Sequence, residues 1–310
     1  MQQRVSKQRM SERERHETMM AWSFLAPAMV LLVIFLVIPF LMAFYLSFTD
    51  QRLIPNPRLP TKMIALQNFT RLLGDHDFQQ AVFNNFYFVL VVVPIQTSLA
   101  LLLALFINQK LRFMNVFRTI YFSPVVVPMV VVSIIWNFMY NPGEGMINAF
   151  LQWISLGRLG PYDWLNSPRL AFPAIMVLSI WQGVGFQMII YLAGLQEIPD
   201  SLYEAADIDG ANAIQQFWQI TMPQLRNTTI FVVMTTTILA FRLFTQVYTM
   251  QGPGGRPQGT TRTMMIYVFN SGFKQGKIGY ASAVTVVFFL IVLGMSILQR
   301  FMLKEEREGK

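Results

Sequence analysis

The chain has 310 residues, 54% of them hydrophobic, with 24 Lys or Arg against 16 Asp or Glu and a formal charge of +8. That composition is too apolar for an ordinary soluble domain, and its basic residues sit between apolar runs and at the termini, a membrane pattern rather than a nucleic-acid surface. With no cysteine and only two distant histidines, His16 and His76, disulfides, thiolate metal sites and a histidine metal cluster are excluded.

Residues 1–20 form a polar tail in which Arg4, Lys7, Arg9, Arg13 and Arg15 mix with Glu12, Glu14 and Glu17. An uncharged apolar stretch follows from Ala21 to Phe48. It exceeds the roughly 20 residues that cross a bilayer, and it lacks the short core and small-residue exit of a cleaved leader. A polar loop at 49–80 has turn residues at Pro55–Pro60 and an expected helix near Leu66–Leu73; the second span is expected at Ala81–Asn108. The third, Ile120–Tyr140, contains Pro124 and Pro128, which predict a kink. A loop at 141–170, with a short helix at Met146–Ile154, leads to the fourth span at Ala171–Leu195. The fifth is Thr228–Met250 and the sixth Tyr280–Phe301. The expected fold is an all-α integral membrane protein of six transmembrane helices: a tail at 1–20, a transmembrane domain at 21–302 and a tail at 303–310. No internal repeat and no soluble domain is evident.

The long polar stretch of the C-terminal half, 196–226, separates the fourth and fifth spans. Ser201 and Glu204 have capping-box spacing, and Leu202, Ala205, Ala206 and Asp209 share a helical face. Gly210 suits the left-handed turn that ends a helix. Ile214, Phe217, Trp218 and Thr221 then repeat the helical spacing up to Pro223, which is expected to close the second helix. This helix–Gly–helix knuckle has an acidic tip of small residues. It is either a plain surface loop, with Glu204 only a cap, or a docking element.

All sixteen carboxylates lie outside the expected spans. An ion-coupled carrier usually keeps an ionisable group in the membrane to change charge there. A phosphate-binding loop is absent too: Gly276-Lys277 has Ser271 and Ile278 where that motif needs Gly and Ser or Thr. No span holds a histidine that could serve as base for a serine nucleophile. If the chain pumps anything, the energy must therefore come from a partner. Lys and Arg near the span ends place the termini, the 109–119 link and the knuckle inside by a narrow margin, with the basic tail before the first span carrying most weight.

The pattern Glu204-Ala205-Ala206, three residues, Gly210, nine residues, Ile220, one residue, Met222-Pro223 resembles the EAA loop of bacterial ABC-importer permease subunits. That family has Leu where Met222 stands. Leu66-Gln67-Asn68-Phe69 is similar to a family element ahead of the second span. Phe241–Pro253 is similar to a family segment ending in a glycine-rich turn, although Thr245 occupies a position where aspartate is common. The resemblance covers about residues 20–305 and points to the carbohydrate-uptake group that includes the maltose and glycerol-3-phosphate importers.

The resemblance implies that 196–226 is a cytoplasmic coupling loop gripped by a separate ATPase. Glu204 would meet the ATPase cleft, Ala205 and Ala206 would permit close approach, and Gly210 would set the turn. Asp207, beside Glu204 on one face, would suit an Arg or Lys of the partner. The implied assembly contains a second, different permease subunit, two ATPase subunits that bind the ATP, and an extracytoplasmic solute-binding protein. It would sit in lipid in the bacterial cytoplasmic (inner) membrane with both termini cytoplasmic, move a sugar-like substrate, and take no nucleic acid. No cofactor, metal or catalytic residue is expected in this chain.

Within the spans, Arg242 either snorkels or pairs with a carbonyl, or faces sugar hydroxyls on the translocation path. Trp181, Gln182 and Gln187 suit stacking and hydrogen bonding with a sugar, yet polar groups also hold membrane helices together. Asn84, Asn85 and Gln96 are weaker candidates of the same kind. Two other functions fit the residues: a self-sufficient carrier or channel, and a scaffold that binds an ATPase and moves nothing.

Overall fold

The computed structural model describes residues 12–55, 57–58, 60–109 and 112–303; the expectations for residues 1–11 and 304–310 lie outside them. Among the described residues the regular structure is helical, with one isolated antiparallel bridge between Thr49 and Met63. α1 (Glu12–Leu32) runs through a π-helical turn at Val33–Val37 into α2 (Ile38–Leu46). From Glu12 onward the expected tail is therefore the start of the first span's helix. After α3 (Gln67–Leu73) comes α4 (His76–Ile107), which begins a turn earlier than hydropathy predicts. Asp75 causes this: its carboxylate accepts from the amides of Asp77 and Phe78 at 3.0 and 3.2 Å, supplying the cap that a helix start needs.

α5 (Met114–Val126) and α6 (Met129–Met139) meet at 99°, so the predicted kink is a full break. Val127 and Pro128 are both extended, with ψ of 130° and 133°. The proline ring drives its preceding residue out of the helical region and removes a donor, and together these stop the helix. α7 (Met146–Ile154) has the bounds predicted from sequence, and α8 (Ala171–Gln196) nearly so. The knuckle follows as α9 (Asp200–Ile208), α10 (Ala213–Gln216), a π turn at Phe217–Thr221 and α11 (Met222–Gln224). α12 (Arg226–Phe241) and α13 (Thr245–Gln251) form the fifth span, interrupted at 242–244. α14 (Met264–Phe269), a π turn at Asn270–Lys274 and α15 (Ile278–Leu303) complete the chain. Among the described residues five helices are long and apolar enough to cross a membrane, six when the bent α5–α6 pair counts as one crossing.

α8 is the axis of the bundle. Its apolar window is 56% buried, against 39% for α4, 22% for α15 and 0% for the first span. Small residues allow neighbours to close on it, as expected where membrane helices approach. A side chain on Gly185 would run into the Tyr121 carbonyl of α5, and one on Gly194 would come within 2.7 Å of Thr228 Oγ1 of α12. Phe88, Ile175, Leu178 and Phe241 fill the core toward one end of α8; Met188, Tyr191, Leu195 and Leu225 fill it toward the knuckle.

Candidate functional site

The knuckle is built by its turn. Gly210 has φ of +77°, and the amides of Gly210 and Ala211 donate to the carbonyls of Asp207 and Ala206 at 3.1 and 2.9 Å. This is the paired bonding of a Schellman close. A Cβ on Gly210 would meet no atom within 4 Å, so backbone conformation and not space requires the glycine. The capping box expected at Ser201 and Glu204 is not there. α9 already starts at Asp200, with no side-chain cap, because Pro199 sets the entry and leaves Ser201 inside the first turn. The box lies instead at Asn212 and Gln215, heading α10. Pro223 does not end the second helix either; the π turn before it absorbs the missing donor and the chain breaks at Leu225.

Two bonds brace the knuckle from within: Tyr203 Oη to Thr221 Oγ1 at 2.9 Å, and Gln216 Nε2 donating to Asp207 Oδ1 at 2.5 Å. Asp207 is therefore engaged inside the knuckle although it is exposed. Glu204, Ala205 and Gly210 are exposed and Ala206 is half-buried. Around them Ile208, Ile214 and Trp218 stand 87%, 70% and 63% exposed. An apolar rim around an acidic tip, left uncovered by its own chain, has the character of a protein contact surface.

About midway along α8 lies a cavity of about 430 Å³. α4 contributes Gln96, α8 contributes Ser179, Gln182 and Gln187, the α12–α13 break contributes Arg242, and α13 contributes Gln246. The structure thus brings Gln182, Gln187 and Arg242 together as lining. Trp181 is not among them; it turns toward α6, its ring 5.4 Å from that of Trp136. Gln187 is 2% exposed. Its Oε1 accepts from Gln96 Nε2 at 2.7 Å and its Nε2 donates to Thr236 Oγ1 at 3.0 Å, which joins α4, α8 and α12. Gln246 Nε2 donates to Ser179 Oγ at 3.1 Å. Gln182 has only a long bond, 3.5 Å, to the Pro124 carbonyl, and Arg242 has no ion pair among the described residues. Those two retain capacity for a guest.

Sequence reasoning missed Ser179 and Gln246. The signal for Ser179 was present: 179, 182, 183, 186 and 187 recur at helical spacing, and all five line the cavity. Asn84 and Asn85 are outside it. Asn85 donates to the Phe241 carbonyl freed at the helix break and accepts from the Met264 amide, each at 2.8 Å, while Asn84 donates to the Arg262 carbonyl. Both hold helices together.

At the end of the bundle away from the knuckle, Asp75 Oδ2 accepts from Tyr267 Oη at 2.5 Å and Tyr280 Oη at 2.8 Å. Burial opposes its ionisation, but these bonds and the two cap amides outweigh it, so the carboxyl lies below its ordinary 3.8. Burial, then the bond to Asp75, pushes the Tyr267 hydroxyl up to about 12. Asp77 forms an ion pair with Arg262. Among the described residues no group of three or more His, Asp or Glu is placed to hold a metal ion.

These features define a multi-pass helical membrane protein, with a cavity of mixed polar and apolar lining among its spans and an uncovered elbow at one end. The profile described as "Binding-protein-dependent transport system inner membrane component" matches residues 80–307, and the chain belongs to that family. It is a membrane permease component of an ABC transporter and not an enzyme. It is 35% identical over 288 residues to the "Probable ABC transporter permease protein YurN" of Bacillus subtilis, covering 92% of this chain and 96% of that one. To the "Lactose transport system permease protein LacF" of Rhizobium radiobacter it is 35% identical over 300 residues, 96% and 98% of the two chains. To the "Trehalose/maltose transport system permease protein MalF" of Thermococcus litoralis it is 32% identical over 288 residues, 93% and 94%. A chain from a bacterial ABC transporter involved in alginate import shares the fold, with a TM-score of 0.80 at 22% identity over 94% of this chain and 97% of that one. The same fold match holds for that transporter in complex with an alginate pentasaccharide-bound periplasmic protein.

Proposed function

We propose that this chain forms half of the path by which a saccharide or related polyol enters the cell, driven by ATPase subunits that grip its knuckle. The observation that carries the reading is the continuity of one helix. α8 lines the cavity with Ser179, Gln182 and Gln187, and within four residues of its end the chain enters α9. A push on the knuckle therefore acts on the cavity wall. Apolar side chains such as Phe88, Met129 and Phe186 make up much of the wall, and its polar groups are amides and hydroxyls with one cation and no carboxylate. That mixture suits the apolar faces and hydroxyls of a sugar, and about 430 Å³ falls in the range of small-molecule sites, about 300–1,000 Å³. The lactose and trehalose/maltose systems named for two relatives support a sugar.

In this reading Glu204, Ala205, Ala206, Asp207 and Gly210 form the ATPase contact, with Asp207 acting through its bond to Gln216. Gln182 and Arg242 contact substrate; Gln187 shapes the wall. The working unit adds a second permease, two ATP-binding subunits and a solute-binding protein that delivers to the face opposite the knuckle. Knuckle and termini lie in the cytoplasm of a bacterium, and the chain sits in its inner membrane with 21–302 as the transmembrane domain. The test is uptake of labelled disaccharide into proteoliposomes carrying the chain alone or with its ATPase, partner permease and binding protein. Uptake is expected only with the full set and internal or external ATP on the knuckle side. Uptake by the lone chain without ATP would overturn the reading.

A further inference from the structure

α7 packs Ile147 against the core yet turns its bulkiest apolar face outward. Met146, Ala149, Phe150 and Trp153 recur at i, i+3, i+4 and i+7 on one face, and that face points away from the protein. Met146 is 71% exposed, Phe150 58% and Trp153 75%. The opposite face holds Asn148, which is 2% exposed. Its Nδ2 reaches the carbonyls of Asn141 and Pro142, each at 3.3 Å, and of Tyr162 at 2.9 Å. Its Oδ1 accepts from the Tyr162 amide at 3.1 Å and from Trp164 Nε1 at 2.9 Å. A helix that turns its amide inward and its aromatic residues outward is not made for water.

We propose that α7 lies in the membrane interface, on the side opposite the knuckle, with this apolar face seated in lipid. Height is the first argument. Asn141 follows the end of α6 and Trp164 precedes the start of α8, so the single side chain of Asn148 ties α7 to the level where two spans leave the bilayer. Continuity is the second: α6 exposes Val131, Ile134, Ile135 and Phe138, the last of them 73% exposed, up to the residues that anchor α7. Side-chain type is the third. Packed seams between membrane helices favour small residues, whereas the α7 face is bulky apart from Ala149. Tryptophan with Phe and Met is what an interfacial helix buries, about 5–10 Å into the headgroup–acyl boundary. A covering protein subunit is the competing occupant, and the test separates the two.

The chain has no cysteine, so Ala149→Cys and Arg158→Cys each give a unique labelling position. Nitroxide labels are attached in the full chain, assembled with the subunits that co-purify with it (their cysteines replaced) and reconstituted in phosphatidylethanolamine–phosphatidylglycerol vesicles. The label at 149 is expected to be relaxed more by oxygen than by a water-soluble nickel chelate, with the order reversed at 158. Nickel dominating at 149 overturns the proposal, and so does a label immobilised and shielded from both reagents, which would mean a protein cover. A label-free arm uses lipids brominated high on the acyl chain. Trp153→Phe is expected to remove part of the quenchable tryptophan emission; an unchanged quenched fraction counts against lipid contact.

Discussion

The polar residues in the middle of α8 and those just beyond its end have opposite fates. Gln187 is bonded on both sides by other spans, while Glu204 and the apolar residues around it project with nothing of their own chain on them. Between membrane helices no water competes, so an amide finds its partners within the bundle. At the elbow Glu204 faces outward while Asp207 is held by Gln216, and the apolar rim is left uncovered by its own chain. Interior polarity here supports the architecture; exterior polarity is available for contact. Gln182 and Arg242 lie between these cases, inside the bundle and only partly bonded.

Substitutions at the two places should therefore separate function from stability. The largest functional effect is expected for Gly210→Val. A β-branched residue at φ of +77° costs about 1–2 kcal/mol in a left-handed turn and should open the elbow. ATP-driven uptake and co-purification of the ATPase should be lost while membrane insertion persists. Gly185→Ala should have the largest effect on stability, about 1–3 kcal/mol by overpacking, because its methyl group would meet the α5 backbone. Thermal unfolding in detergent would read this directly. Gln187→Leu should cost roughly 1–2 kcal/mol, and a double-mutant cycle with Thr236→Val should show coupling. Glu204→Ala should leave the unfolding midpoint unchanged while weakening ATPase binding; a shared stability loss at 187 and 204 would erase the contrast.

The smallest effect concerns Asp75. Its folded carboxyl titrates below the ordinary 3.8, so the stabilisation it provides is complete above that value and disappears as pH falls through the lower folded one. Asn can still cap α4 through Oδ1, but its Nδ2 then faces the tyrosines and can only donate to a hydroxyl oxygen in place of the two bonds Oδ2 accepts, so Asp75→Asn should cost about 1 kcal/mol at neutral pH. Melting curves of the two proteins should converge only in acid below the carboxylate range. A difference that vanished near neutrality would place the titration on another group.

Hydropathy and spacing alone established the apolar segments, the bounds of α7 and the left-handed glycine at 210, while side-chain type singled out Gln182, Gln187 and Arg242, which line one cavity, and Trp181, which does not. These signals are local: segment length, side-chain period and the one residue type tolerated at positive φ. Competition between neighbouring local signals decided the break at Val127–Pro128 and the start of α9 at Asp200; tertiary structure decided the turning of Trp181 away from the cavity and the burial of Gln187. The latter two depend on atoms that are remote in the chain. Gln187 is buried because Gln96 and Thr236, 91 and 49 residues away, close on it, and no spacing rule within α8 could supply them.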